Sequence, residues 1–253
     1  MSIETEVALG GAVTCIRLDR PPGNVLDAAM CDALVPAIRE ASVRSEARAI
    51  LLSANGPHFS FGASVEEHRP GEVRGMLERF HGVFRALIES RLFLVAAIRG
   101  YCLGGGLELA AFCQRVIAHP EAKLGQPEIK LGVFAPMASL VLPERTNQAF
   151  ADDLCVTGRS IGGAAALGRG LVDQLADDPE SAARRWIEKH LVPLSAMAVR
   201  HAVAAVRLRF HERVLEALPR IESAYLDELM STEDAKEGID AFLEKRPPQW
   251  RHR

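Results

Sequence analysis

Three consecutive glycines, Gly104-Gly105-Gly106, run directly into Leu107-Glu108-Leu109-Ala110 and place a bare turn and a carboxylate within one helical turn. A turn without side chains lets backbone N–H groups come close to a ligand. A helix starting there adds unpaired N–H donors and the positive end of its dipole, which suits an anion or a developing oxyanion. Glu108 then stands beside those donors as an acid or a base. Two other segments have related potential. In Phe59-Ser60-Phe61-Gly62-Ala63-Ser64-Val65-Glu66 a glycine-bearing turn can aim an N–H at a ligand. In Leu124-Gly125-Gln126-Pro127-Glu128, Pro127 fixes the backbone and gives Glu128 a rigid mount. Alone, each segment has an ordinary reading: a loop, a surface glutamate after a turn, a glutamate facing a helix dipole. Together they offer two carboxylates to manage one water and one proton, and two N–H groups to hold an enolate oxygen. An acid and a base so paired need unlike surroundings to keep different protonation states.

The elements that must position these groups are legible from hydrophobic pattern. Strands are predicted at Ala12 to Leu18, Ala49 to Ser53, Leu94 to Ile98 and Arg115 to Ala118. Asp27 is placed to cap a helix reaching about Ala41, with Pro36 implying a kink or a later start. A longer helix is predicted over Val73 to Glu89, with Met76, Leu77, Phe80, Phe84, Leu87 and Ile88 as its apolar face. The triglycine helix follows the Leu94 strand. This alternation to about residue 175 implies an α/β fold with a single large core. From about Ser181 the strand signals stop. Ala182 to Lys189, Ser195 to Leu218 and Glu233 to Lys245 read as helices, part of them an assembly or docking surface. The division expected is a core over 1–190 and a helical oligomerisation region over 191–253.

Composition narrows the function classes. The chain has 253 residues, 48% of them hydrophobic, and a formal net charge of -3. That balance argues against a general nucleic-acid binder. No apolar run approaches the roughly 20 residues that cross a bilayer, and the first residues lack a signal-peptide pattern. Five cysteines without a C-x-x-C pair suit free thiols in a reducing cytoplasm. The eight histidines show no clustered spacing, so no metal site is expected. Gly158-Arg159-Ser160-Ile161-Gly162 has the spacing of a hydrolase nucleophile, but Ser160 reads instead as the N-cap of a helix over Gly162 to Leu167. Leu109 stands where a dinucleotide-binding loop needs its third glycine.

Nearly the whole chain resembles the crotonase, or enoyl-CoA hydratase/isomerase, family. The resemblance is carried by Phe59 to Ala63, Gly100 to Leu109, Gly125 to Ile129, Leu154 to Arg159, Ala166 to Val172, and Ala241 to Arg246, in that order and spacing. It implies a spiral of repeated β-β-α units with a helical C-terminal region. It implies that Ala63 and Gly105 give the two N–H groups of a thioester oxyanion hole, and that Glu108 and Glu128 are the paired glutamates that hold water. Phe61 and Ala63 fall where the family's loop meets the adenine of CoA. Lys245 and Arg246 match basic residues that meet the nucleotide phosphates. Gly62 and Gly104, with Phe61, Phe134, Pro136 and Lys245, belong to the implied substrate and CoA site. Beyond CoA as part of the substrate, no cofactor or metal is implied, and the expected partners are an acyl-CoA thioester and copies of the same chain in a trimer or hexamer.

The chain also departs from the family's usual pattern. Ser64 stands where many hydratases carry Asp, Phe61 where a small residue is usual, and Pro136 where a glycine lines the acyl pocket. With Lys130 to Pro136, residues 61–68 look most like the branch that hydrates cyclic dienoyl thioesters, cyclohexa-1,5-diene-1-carbonyl-CoA among them, in anaerobic aromatic degradation. On this reading Glu108 is the water base and Glu128 the proton donor to carbon. A linear enoyl-CoA hydratase and a non-catalytic acyl-CoA-binding protein on the same fold are the alternatives.

Overall fold

A computed structural model describes residues 2–253. Its strands are β1 Ile3–Ala8, β2 Val13–Leu18, β3 Ala49–Ala54, β4 Phe93–Ile98, β5 Tyr101–Leu103, β6 Arg115–Ala118, β7 Lys123–Gly125, β8 Ser160–Gly162 and β9 Gln174–Leu175. Its α-helices are α1 Ala28–Val43, α2 Val73–Ser90, α3 Gly105–Phe112, α4 Pro136–Arg145, α5 Gln148–Thr157, α6 Gly163–Gly168, α7 Pro179–His190, α8 Ala196–Ser223 and α9 Glu233–Leu243. The larger sheet has the order β1-β2-β3-β4-β6-β9 and is parallel from β2 onward. The smaller has the order β5-β7-β8. A repeat is visible in this order. β3, β4 and β6 each enter the larger sheet, and the chain then visits the smaller one, at a Ser60–Cys102 bridge, at β5 and at β7. It leaves through α2, through α3, or through a 3-10 turn at Pro127–Leu131 into α4. This is the expected spiral of β-β-α units.

The parallel strands are buried on both faces, so they read as continuous apolar runs. Ile50 and Leu52 pack with α1, α2 and α3, whereas Ala49 and Leu51 face Ala183 and Ile187 of α7. A third apolar cluster joins Met76 and Leu77 of α2 to Val133, Tyr225, Met230 and Ile239, and it underlies the site.

The structure corrects several expectations. The helix after Asp27 neither starts late nor breaks at Pro36; Asp27 Oδ1 accepts the Met30 N–H at 2.9 Å and α1 runs to Val43. Pro36 and Asp32 are both exposed, so the carbonyl that Pro36 leaves without a donor can turn to water. α8 likewise passes through exposed Pro219, five residues beyond its expected end at Leu218. Ser160 is no helix cap: it opens β8, and Gly162 precedes α6. Strands β1, β5, β7, β8 and β9 carry too few residues, or too mixed a pattern, to stand out in sequence.

Candidate active site

Four segments converge on one cavity of about 460 Å³: the loop through Gly62, the start of α3, the 3-10 turn after β7, and the C-terminal elements. In the first, Ser60 Oγ donates to Asn24 O at 2.8 Å and accepts the Gly62 N–H at 3.0 Å, while Phe61 N–H donates to Gly23 O at 2.8 Å. These bonds hold the loop so that the next donor, Ala63 N–H, has no acceptor among the described residues. Gly105 is the first residue of α3, and its N–H has no intrahelical acceptor. The two donors are neighbours: a Cβ added to Gly105 would lie 3.2 Å from Ala63 N. Gly62, at φ 102°, allows this approach, since its own Cβ would stand 3.0 Å from Leu103 O.

Glu108 is fully enclosed, and its side chain does not attend its own helix. Its Oε1 accepts the Ala138 N–H at 2.7 Å, and the Met137 N–H also bonds it. α4 begins with Pro136 and has no side-chain cap of its own, so Glu108 caps it from another helix. Burial pushes the Glu108 carboxyl up, against the pull of those two amides. Glu128 sits on the 3-10 turn begun by Pro127 and ended by Gly132 at φ 71°. It is half-buried, opens to the cavity, and is pushed up by burial and by the charge of Glu108. Two neighbouring carboxyls raised in this way can hold one proton between them near neutral pH.

Three further residues shape the site. Gln126 is buried, and with its amide NH2 turned to Glu128 it donates to the two carboxylate oxygens at 2.9 and 3.2 Å. Phe80 of α2 presses its ring tip against Gly105, where an added Cβ would meet it at 3.0 Å. Tyr225 closes the inner wall, edge-on to Phe134 with ring centroids 5.1 Å apart. The Phe80 position was visible as part of an apolar face; the other two give no local signal.

The arrangement can hold a carbonyl oxygen on two N–H groups while two carboxyls with raised affinity for protons face the same apolar space. The sequence profile of the enoyl-CoA hydratase/isomerase family matches residues 9–253. This chain belongs to that family. It is 50% identical over 243 residues to cyclohexa-1,5-dienecarbonyl-CoA hydratase of Thauera aromatica, covering 96% of this chain and 94% of the relative. It is 37% identical to a probable enoyl-CoA hydratase of Mycobacterium leprae over 95% of each chain. Among solved structures, an enoyl-CoA hydratase/isomerase from Pseudoalteromonas atlantica superposes with a TM-score of 0.86 at 26% identity, covering 99% of this chain and all of that one.

Of the residues that the family resemblance singled out, Phe61, Gly62, Ala63, Gly104, Gly105, Glu108, Glu128, Phe134 and Pro136 all line the cavity. Lys245 does not; it is exposed in the tail at φ 55°, and its neighbour Arg246 lines the wall instead. Arg246 Nη1 donates to Glu237 Oε1 at 2.6 Å and Nε to Glu244 Oε2 at 2.5 Å, so its charge is already paired. Phe61 stands at the mouth, 43% exposed, in a cluster with His58 and Tyr101. The cavity draws on both sides of residue 190, because Ala241, Phe242 and Arg246 share it with the core. Among the described residues no His, Cys, Asp or Glu cluster suits a metal ion, and no helix is long and apolar enough to cross a membrane.

Proposed function

We propose that this chain adds water to a conjugated cyclic acyl-CoA thioester, converting cyclohexa-1,5-diene-1-carbonyl-CoA to 6-hydroxycyclohex-1-ene-1-carbonyl-CoA. One observation carries the reading: Glu108 and Glu128, both pushed up, face an apolar cavity beside the unpaired N–H groups of Ala63 and Gly105. The 50% identity to a hydratase named for that substrate supports the choice of a ring. So does the aromatic wall of Phe80, Phe134 and Tyr225, which suits a flat ring more than a flexible chain.

In this reading the thioester oxygen accepts from Ala63 and Gly105. Glu108, ionised, takes a proton from water as its oxygen bonds to the β-carbon of the ring. The electron pair of that alkene moves onto the thioester as a dienolate. Glu128, protonated, delivers its proton to the remote alkene carbon, and the remaining double bond shifts into conjugation with the thioester. One O–H bond breaks, one C–O and one C–H bond form, and the proton held by Glu108 returns the pair to its starting charge. Phe61 takes the adenine side of CoA, and Lys245, exposed in the tail and in no ion pair among the described residues, meets its phosphates. Copies of the chain assemble through α8 as a trimer or hexamer. Five thiols without a disulfide among them suit a reducing cytoplasm.

Purified enzyme is offered the cyclic dienoyl-CoA and crotonyl-CoA in parallel, with absorbance loss and a mass gain of one water as readouts. The proposal expects the cyclic thioester to turn over faster. It also expects Glu108→Gln and Glu128→Gln each to lose about 100-fold or more in rate, the usual scale for a positioned acid or base, while still binding CoA esters. Faster turnover of crotonyl-CoA would make this a linear enoyl-CoA hydratase. No water addition to either would leave an acyl-CoA-binding protein.

A further inference from the structure

Tyr225 is 1% exposed, yet its hydroxyl has no hydrogen-bond partner within the protein. Leaving a buried hydroxyl unpaired costs free energy, so native interiors rarely do it without a reason. The residue stands in the π-helical turn Ala224–Glu228 that follows α8, a rare arrangement that is frequent at functional sites. It reaches the cavity among Met76, Leu77 and Phe134, side chains that offer its oxygen nothing to bond. The nearest ring with a polar atom is His68, 6.5 Å away between centroids. The His68 Nδ1 is itself committed to Ser64 O at 2.7 Å. Burial above all, and then the charges of Glu128 and Glu108, keep the phenol neutral, so it stays a donor.

On the function proposed above, the acyl part of the ligand has two oxygens. The thioester oxygen is claimed by Ala63 and Gly105. The other is the oxygen that arrives as water and leaves as the ring hydroxyl. We infer that the Tyr225 hydroxyl donates to that added oxygen, holding the attacking water over the ring and gripping the hydroxyl of the product. It is thus a substrate-contacting residue that selects thioesters hydroxylated at this position from those without the hydroxyl.

Tyr225→Phe removes the one atom in question and keeps every packing contact of the ring, so the fold is expected to persist, checked by its melting temperature. Calorimetric titration compares 6-hydroxycyclohex-1-ene-1-carbonyl-CoA with cyclohexanecarbonyl-CoA, in a Glu108→Gln, Glu128→Gln background so that nothing turns over. The inference expects Tyr225→Phe to weaken the hydroxylated thioester about tenfold, the scale of one hydrogen bond, and to leave the saturated ring unchanged. Equal weakening of both would mean that the phenol only packs, and no change in either would mean that it touches nothing; both outcomes overturn the inference. The ligand-side counterpart replaces the ring hydroxyl by a methoxy group, which accepts but is larger, and by hydrogen. If the parent enzyme hydrates no thioester at all, the function fails on that count alone, while the affinity ratio still decides the role of Tyr225.

Discussion

Glu108 and Glu128 differ in what surrounds them, and that difference defines the chemistry open to each. Glu108 takes two amides from the start of α4, which favour its ionised form. Glu128 faces Gln126 and the charge of Glu108, and it opens to the cavity. A carboxyl raised above its unfolded value stabilises the fold fully at acid pH and loses that contribution as pH rises through the folded value. Glu128→Gln cannot ionise and escapes the loss. Its melting temperature is therefore expected to exceed that of the wild type at mildly alkaline pH and to converge with it near pH 4, close to the ordinary carboxylate range. Calorimetry across that range tests this; a constant difference would mean that ionisation of Glu128 costs the fold nothing. At this scale much of the site was legible. Ala63, Gly105, Glu108 and Glu128 sit in segments whose glycines and proline make unusual backbone. Gln126 and Tyr225 were not, because each matters through a contact with a residue that is distant or lies on another element. Lys245 and Arg246 could not be told apart, since one residue of offset in a tail at φ 55° decides which side chain turns inward.

Turns, rather than helices or strands, bring the donors and carboxyls together. Gly104 has φ 51° and ψ -128°, and a Cβ there would collide with Glu128 Oε1. Gly104→Ala therefore strains the backbone and displaces the carboxylate at once. We expect it to fold with reduced stability, by about 1–3 kcal/mol as for other overpacked sites, and to lose most of its hydration rate. Denaturant melts with initial-rate assays check both. Wild-type activity would show that the turn tolerates a side chain. The helices α2, α7 and α9 announced themselves by 3.6-residue periodicity, and α1 by its cap. The smaller sheet did not, because β5, β7 and β8 have three residues each, too few to show a period. Proline misled once, at Pro36; its ring, like that of Pro219 in α8, lies on an exposed helix face, where water replaces the missing bond at modest cost.

Across the whole molecule, α8 presents apolar side chains to solvent: Val206 is 84% exposed, Met197 59% and Leu208 54%. Large apolar side chains left exposed along one helix suit burial against a partner. With the trimer or hexamer proposed above, Val206→Glu together with Leu208→Glu is expected to release smaller species in light scattering on a sizing column; an unchanged mass would place the interface elsewhere. The alternation of strands and helices made the fold class readable from sequence, whereas the return of the C-terminus onto the site was readable only by resemblance. That return rests on Gly238, where a Cβ would strike Leu131 O. It rests also on Asp234 and Glu237, which accept from the backbone of Arg251, His252 and Gln249 at 2.6 to 2.8 Å. Phe242 and Arg246 thereby become part of the cavity wall. A ligand that fills the cavity must then fasten the end of the chain. By reciprocity, the factor by which the docked α9 tightens the ligand is the factor by which the ligand tightens the docking of α9 on Leu131. Grip on the acyl group and order in the last twenty residues are two readings of one equilibrium.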